Sequence, residues 1–470
     1  MALPTDSRFT FLAISVPSTF QQGVIPDGEE PPWGMLRVVA SARERYGIDA
    51  GILDAHRLKL DQRGLREQLK TITPGVVGLN PTSVNVREAQ HIAGICDDLG
   101  IPYLLGGVHA TIDPAVARSD FPNAAAIIRG NAEVAIGPSV RAIIDDVDVE
   151  IQGVYFRGHS GSMHAYAQRM PADELPFVNQ EKLVVQPIYT HTVTINGRQS
   201  RIDEATLFVT QGCPYKCTFC ASPVMTNRTG RSGRPYDRPA TDRIVAEVAH
   251  VVDELGANAV HFLDDMAFPQ APHIKEFHDQ ISRAGLLGKF VWRGLGRASL
   301  IERFDDRTLE LMKESGAWRV TLGIESGSEE ILRQIDKRVT ARQAAAAVDR
   351  LSRHGIQTKG YFIMGFPTET ERQMLETRDL MMRLRDAGMA EASVFQFHPY
   401  PGTGEYSRLA ESKPDIIAQL PYLRGGDPKN QAGHNTWLPP DLEIADVPSS
   451  VVQRHVIAAM ADFYGGENTS

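Results

Sequence analysis

The stretch "TLFVTQGCPYKCTFCASP", Thr206–Pro223, gathers three of the chain's four cysteines, Cys213, Cys217 and Cys220, at the end of an apolar run. Thiolates bind soft metals, so a trio this dense reads as a metal site. Four cysteines in 470 residues are too few for a disulfide framework. A structural zinc site takes four protein ligands. The fourth cysteine, Cys96, falls within the helical pattern "VREAQHIAGICDDLG" of Val86–Gly100 and reads as a buried apolar thiol. No histidine stands at finger-like spacing from the trio. Three ligands without a fourth suit an iron–sulfur cubane with one iron left open to a small molecule. Phe219, next to the last cysteine, is placed to shield such a cluster.

Downstream, strand and helix signals alternate. Strand candidates are Thr206–Thr210, Ala259–Asp265, Lys289–Leu295, Trp318–Ser326, Thr358–Pro367 and Ala392–Gly404, separated by helical patterns such as "TDRIVAEVAHVVDELG", Thr241–Gly256. Successive βα units curl into a barrel whose active site lies at the C-terminal ends of the strands. Polar and glycine residues gather at those ends, in "DD", "GR", "ESGS", "GFPTE" and "PYPGTG".

Upstream, apolar runs at Phe9–Val16, Asp49–Ala55, Gly75–Asn80, Pro102–Gly107 and Ala124–Gly130 read as buried parallel strands with crossover helices. That pattern gives a doubly wound sheet. The chain therefore divides into a Rossmann-like domain (1–150), a connector with a β-hairpin turning at Asn196–Gly197 (151–205), a partial (β/α)6 TIM-like barrel (206–410) and a C-terminal helical cap (411–470) carrying an amphipathic helix at Ser449–Tyr464. Asn-Gly between strand-like runs is a hairpin signal.

Composition narrows the function. The net charge of −9 disfavours a nucleic-acid footprint, which takes a basic face. The basic run Thr226–Arg238 reads as a solvated loop, with the holding of an anionic group as the alternative. No apolar run approaches the ~20 residues needed to cross a bilayer, and no signal peptide is evident. The expected setting is the cytoplasm, where clustered thiols bind metal or catalyse.

"CPYKCTFC" resembles the CxxxCxΦC signature of radical S-adenosylmethionine (SAM) enzymes, at the position that superfamily uses, just after the first barrel strand. The resemblance implies a [4Fe-4S] cluster held by Cys213, Cys217 and Cys220, whose open iron chelates the amino and carboxylate groups of SAM. Reductive cleavage then yields a 5′-deoxyadenosyl radical that removes hydrogen from carbon. Further motifs are similar to the family's SAM-binding positions. "FLDDMAF" implies Asp264 or Asp265 at the SAM ammonium, and "RGLGRASL" implies Arg293 and Arg297 at its carboxylate. "LGIESGSEEIL" implies Glu325 and Ser326 on the ribose side, and "KGYFIMGFPTET" implies backbone approach at Gly365. "PYPGTG" resembles the sixth-strand motif. Catalytic candidates at the mouth are Glu325, His398 and Tyr400, with Glu369 nearby.

The first domain resembles the cobalamin-binding domain of a large radical SAM subgroup. "GVVGLN" and "LLGGVHAT" imply corrin approach at Gly78, Gly106 and Gly107, and "PPWGMLRVVA" resembles the opening of that group's first helix. The loop "PSTFQQGVIPDGEEPP" has no histidine for cobalt, so cobalamin would bind without a protein histidine ligand. Asn80 and Pro81 depart from the small residues usual there. His56 reads as a surface or interdomain residue.

What the resemblance implies is hydrogen abstraction from an sp³ carbon of a small specialised metabolite. The cofactors are the cluster and SAM, with cobalamin as a third for C-methylation. The alternative is cobalamin-independent dehydration or deoxygenation of a sugar or aminoglycoside diol. The implied partners are the substrate and an electron donor such as flavodoxin or ferredoxin, with no nucleic acid and no membrane. Methylthiolation would need three further N-terminal cysteines, which are absent. A zinc-stabilised binding module is the reading from another class.

Overall fold

The computed structural model describes residues 9–17, 31–83, 85–178, 188–195, 197–226, 235–420 and 438–465. It separates into one compact unit of Met1–Pro187, Ala221–Asp237 and Tyr422–Pro428, and a second of Ile188–Cys220, Arg238–Pro421 and Lys429–Ser470.

The first unit is built on β1 (Phe11–Ser15), β2 (Ala50–Asp54), β3 (Val76–Leu79), β4 (Tyr103–Leu105), β5 (Ala126–Ile128) and β6 (Val154–Phe156), in the order β2-β1-β3-β4-β5-β6. β1 to β5 run parallel and β6 pairs antiparallel with β5. Every residue of β2 and β3 is buried. Helices cover both faces, which is why these strands read as unbroken apolar runs. The helix Val86–Leu99 inserts Ala89, Ile92 and Cys96 into one core layer with Leu12, Ile14 and Leu79. It ends at Gly100 in the left-handed conformation. Strand order reverses between β1 and β3, where doubly wound sheets bind ligands. The loop after β1 (18–30) lies outside the described residues. Sequence reading places Val154–Phe156 in the connector; pairing with β5 instead makes it the edge of this sheet.

The second unit has β7 (Ile188–Ile195) and β8 (Arg198–Leu207). Two-residue strands β9 (Gln211–Gly212) and β10 (Tyr236–Asp237) follow in the chain. Then come β11 (Ala259–Phe262), β12 (Val291–Gly296), β13 (Ala317–Glu325), β14 (Gln357–Met364) and β15 (Met389–Gln396). The sheet order is β15-β14-β13-β12-β11-β8-β7. It is parallel from β8 to β15, with β7 antiparallel at the edge. The predicted hairpin is therefore not a separate connector. β7 pairs with β8 from Ala205 to Arg198, so the hairpin's second arm and the first barrel strand are one strand, which stops at Leu207 rather than Thr210. Of the Asn196–Gly197 turn, Asn196 lies outside the described residues, and Gly197 has φ +75°.

β14 shows how the sheet curls. Thr358, Gly360, Phe362 and Met364 are buried under helices, while Lys359, Tyr361 and Ile363 are half-buried on the inner face. Such period-2 alternation assigns alternate residues to lumen and helix layer. Below, Gln357 Nε2 of β14 donates to the Thr194 carbonyl of β7 at 2.9 Å, which ties β14 to the edge strand on the other side of the curl. Ile202, Ala259 and Trp318, with Val193, Ile195 and Val291, plug the same end with apolar side chains. The lumen so formed opens toward the C-terminal strand ends.

The helices Ala341–Arg353 and Glu371–Asp386 both start at capping boxes, Thr340 with Gln343 and Thr370 with Gln373, each satisfying two orphan N–H groups. The helix Ser449–Phe463 packs on β14, β15 and Glu371–Asp386. No helix among the described residues is long and apolar enough to cross a membrane.

Candidate functional site

The chain leaves β8 directly beneath the cysteine trio, and Asp264 fixes its course. This buried carboxylate accepts the Val209 N–H (3.1 Å), the Thr210 N–H and the Thr210 hydroxyl (2.6 Å). Further along, Thr218 ties the loop down. Its N–H donates to the Ile335 carbonyl, its carbonyl accepts the Glu405 N–H, both at 3.0 Å, and its hydroxyl donates to Glu405 Oε1 at 2.6 Å. Arg408 pairs with Glu405 and also reaches the Thr218 hydroxyl. A Cβ on Gly404 would stand 3.2 Å from the Thr218 Cβ. The "PGTG" turn thus seats the helix Gly404–Ser412 against the cysteine loop.

None of the three cysteines is in a disulfide; Cys217 is buried and its neighbours are half-buried. Burial pushes the Cys213 thiol up, with Asp265 and Cys217 adding, against the Tyr215 N–H and Arg297. Such a thiol binds as thiolate only with strong positive charge beside it. Cys96 offers no fourth ligand, since burial raises its thiol to about 12. Among the described residues no three His, Cys, Asp or Glu side chains converge on a single metal ion. Three thiols in one loop are a donor set suited to a cubane with an open iron, whereas a structural zinc ion takes four protein ligands.

Arg297 stands next to the loop, directly after β12. Its guanidinium lies 3.5 Å over the Tyr215 ring. It is only 6 % exposed, yet its Nε and one terminal nitrogen have no hydrogen-bond partner. A buried guanidinium with unused donors is matched to a carboxylate. On the other side, Phe219 meets Phe366 edge-on at 5.7 Å and Phe366 meets Phe397 at 5.0 Å. These rings form an apolar wall beside Cys220.

Glu325 ends β13 at φ +70°, a costly conformation for a residue with a Cβ. The register shift between Gly323 and Glu325 puts it there. Its carboxylate takes a 2.6 Å bond from Lys337, both side chains being buried, and Lys337 also lies 5.9 Å over Phe219. Removing one partner leaves the other charge buried and alone. Lys337→Met is therefore expected to destabilise the barrel by about 3–5 kcal/mol, and Glu325→Gln with Lys337→Met to recover most of it. Denaturant titrations of the four proteins in that cycle measure this.

At the end of β14, Gly365 has φ +89° and a Cβ there would strike Val452 at 2.8 Å, so only glycine fits. Glu369 holds this turn: one of its carboxyl oxygens accepts the Gly365 and Phe366 N–H groups at 2.5 and 3.0 Å. Burial nonetheless raises its carboxyl to about 8, so it is largely neutral at pH 7 and occupied as a clamp.

Several sequence expectations are corrected. Asp264 is bonded to the loop backbone, leaving the exposed Asp265, which acts electrostatically on Cys213, as the carboxylate facing the site. Arg293 is not at a strand end. It is the third residue of β12, and its guanidinium grips Glu204 with two bonds of 2.8 and 2.7 Å. Ser326 is fully buried, its hydroxyl 3.2 Å from that of Thr377 and accepting the Ser328 N–H, so it shapes the "ESGS" turn. Gly78 lies inside β3, where a Cβ would meet the Phe11 ring at 2.7 Å; its smallness serves packing. Gly106 follows β4 with open space at its Cβ, and Gly107 has φ +76° and abuts Asn80. His398 and Tyr400 stack on each other at 6.2 Å, Tyr400 exposed and His398 half-buried. His56 is half-buried in the turn after β2.

Sequence reading missed Lys337, Thr218 with Glu405, and the ring pair Phe366 and Phe397. The last two follow from "GFP" and "FHP" closing strands β14 and β15. The others come from turns and helices whose approach only topology decides.

Residues 207–381 match the family model described as the Radical SAM superfamily. An uncharacterized methyltransferase of Pyrococcus horikoshii is 25% identical over 79% of this chain and 77% of its own length. The cytidylyl-2-hydroxyethylphosphonate methyltransferase of Streptomyces wedmorensis is also 25% identical, over 78% and 76%. Among solved structures, the radical SAM methyltransferase TsrM of Kitasatospora setae, with cobalamin and a [4Fe-4S] cluster bound, aligns at TM-score 0.65, 18% identity, covering 98% of this chain and 91% of that one. The cobalamin-dependent enzyme OxsB, with aqua-cobalamin and SAM bound, aligns at TM-score 0.69 and 13% identity, covering 97% and 67%.

Proposed function

We propose that this chain, which belongs to the radical SAM superfamily, is a cobalamin-dependent C-methyltransferase acting on an sp³ carbon of a small molecule. The observation that carries the chemistry is the cysteine loop with Arg297 beside it: three thiols and no fourth, next to a buried guanidinium with donors unused. Methyl transfer, rather than dehydration, is supported by relatives named as methyltransferases along about three quarters of their length. The N-terminal sheet has the fold of cobalamin-containing structures.

When bound, the cluster would supply an electron for the SAM sulfonium, and cobalamin would supply a cobalt able to carry a methyl group. The protein's part is positional. Cys213, Cys217 and Cys220 would hold the cluster as thiolates. Arg297 would take the SAM carboxylate, held rigid by the Tyr215 ring, and Asp265 would face the ammonium. The Gly365 turn, clamped by Glu369, would let the adenine approach backbone. Phe219, Phe366 and Phe397 would keep water from the reacting carbon. The Gly106–Gly107 turn after β4 would lie against the corrin. His398 and Tyr400, which stack on each other after β15, we assign to the substrate mouth. A flavodoxin or ferredoxin would deliver the electron. The acidic chain, at −9, favours a small-molecule substrate over nucleic acid.

SAM carrying a deuterated methyl group decides the outcome. Label in the product supports methylation. Stoichiometric 5′-deoxyadenosine with an unlabelled, dehydrated product refutes it. Arg297→Met is expected to weaken SAM binding by roughly tenfold to a hundredfold, the scale of one lost charge-assisted contact, with iron content unchanged. Calorimetric titration of SAM together with iron analysis measures both.

A further inference from the structure

Above the apolar plug, the lumen of the second unit carries a tier of charged side chains that the cluster and SAM positions do not use. On one side Glu204 of β8 is paired with Arg293 of β12, its Oε2 also 3.2 Å from His191. Burial raises the Glu204 carboxyl, but the bonds from Arg293 and His191 outweigh this and bring it to about 2. That pair is complete, with His261 Nε2 3.3 Å from Arg293. The other side is not. Arg319 of β13 and Lys359 of β14 share a single carboxylate, Glu391 of β15, at 2.6 and 3.6 Å. Glu391 is itself 37 % exposed. Arg319 is 8 % exposed, stacked 4.4 Å from the Trp318 ring, and its Nε has no partner.

Three cations thus face two carboxylates across this tier. Burial lowers both the Arg319 and the Lys359 cation, and Lys359 is lowered further by its proximity to Arg319 and Arg293. An apolar lining would fill such a lumen at no greater cost, since buried ion pairs seldom add stability. Lys359, half-buried and 3.6 Å from a carboxylate that already pairs with Arg319, is a surplus cation, and a charge withdrawn from water persists where something else balances it.

We propose that Arg319 and Lys359 form a subsite for an anionic group, a carboxylate or phosphate, at the far end of the substrate. This rests on the small-molecule reading above. Arg319 lies six residues below Glu325 on β13, roughly 15–20 Å at the usual rise and tilt of barrel strands. The substrate is therefore elongated, with its anionic end seated low in the lumen and the reacting carbon on the order of 10 Å above it.

Inorganic phosphate, balanced against chloride at constant ionic strength, is the probe. It is titrated into the full-length chain while the fluorescence of Trp318, against the Trp318→Phe protein, is followed. Saturable binding is expected. Lys359→Gln and Arg319→Met should each weaken it at least ~5-fold, whereas Glu391→Gln, which removes a competing anion, should tighten it by at least ~3-fold. Acetate in place of phosphate separates the two chemistries, and the tighter of them names the group. Absence of saturable binding, or a Glu391→Gln protein that binds no better than the parent, overturns the proposal. If Arg319→Met does not fold, Lys359→Gln and Glu391→Gln decide. The titration needs neither iron nor SAM. Failure here leaves methyl transfer standing, and a chain that binds phosphate yet moves no labelled methyl group refutes only the methyltransferase reading.

Discussion

Replacing any one of Cys213, Cys217 or Cys220 by alanine removes the iron and lowers SAM cleavage by at least ~10³-fold, because groups that act as one unit fail together. Each thiol comes from the same short loop, pinned before Cys213 by Asp264 and between Cys217 and Cys220 by Glu405. No other cysteine can substitute, since Cys96 is fully buried within the core of the first unit. The three single variants are therefore expected to be equally inactive while their circular dichroism remains that of the parent. Cys96→Ala keeps its iron and its cleavage, and loses only about 1 kcal/mol of stability from a small cavity. Anaerobic reconstitution followed by iron and sulfide analysis, with 5′-deoxyadenosine as the product measured, is the test. Persistent cleavage in any one of the three would remove the basis of the functional assignment.

Glu369→Gln flattens the pH dependence of the barrel's stability between about pH 4.5 and 8. In the folded protein the Glu369 carboxyl titrates near 8 against 4.5 for the free side chain. The fold favours the protonated form. The stability this lends is complete below pH 4.5 and is lost as pH rises through 8, because the unfolded chain releases the proton first. The loss across that window is up to roughly 5 kcal/mol. Glutamine keeps the oxygen that accepts the Gly365 and Phe366 N–H groups and cannot ionise, so the variant gains on the parent as pH rises. Urea unfolding of both proteins at pH 5, 6, 7 and 8 reads the difference directly. Parallel curves would mean that Glu369 is already ionised at pH 5.

The cysteine loop was legible in the sequence because its spacing is local and its chemistry unambiguous. The parallel strands were legible too, since burial on both faces leaves runs such as "GVVGL" without polar interruption. Choices between neighbouring residues were not. Asp264 and Asp265 are adjacent, and only the packing shows that one points into the loop backbone and the other outward. Arg293 and Arg297 are one helical turn apart in number but lie on a strand and just beyond it, so one faces the lumen and the other the loop. Lys337 reaches Glu325 across a short helix, and Glu405 reaches Thr218 from the far end of the barrel. Neither approach leaves a periodic trace. The hairpin joined the barrel because β7 could extend its ladder along the whole of β8, which no turn motif announces.

The bond between Gln357 and Thr194, with the apolar side chains packed near it, covers the N-terminal end of the lumen. On the proposed function, whatever lodges at its floor would pass the same doorway that SAM would take. Assembly is then sequential: the long substrate enters first and the nucleoside closes over it. Departure reverses the sequence, so methionine and 5′-deoxyadenosine vacate before the modified molecule is freed. Steady-state kinetics should accordingly show compulsory-order addition, with excess SAM trapping the doorway and inhibiting turnover.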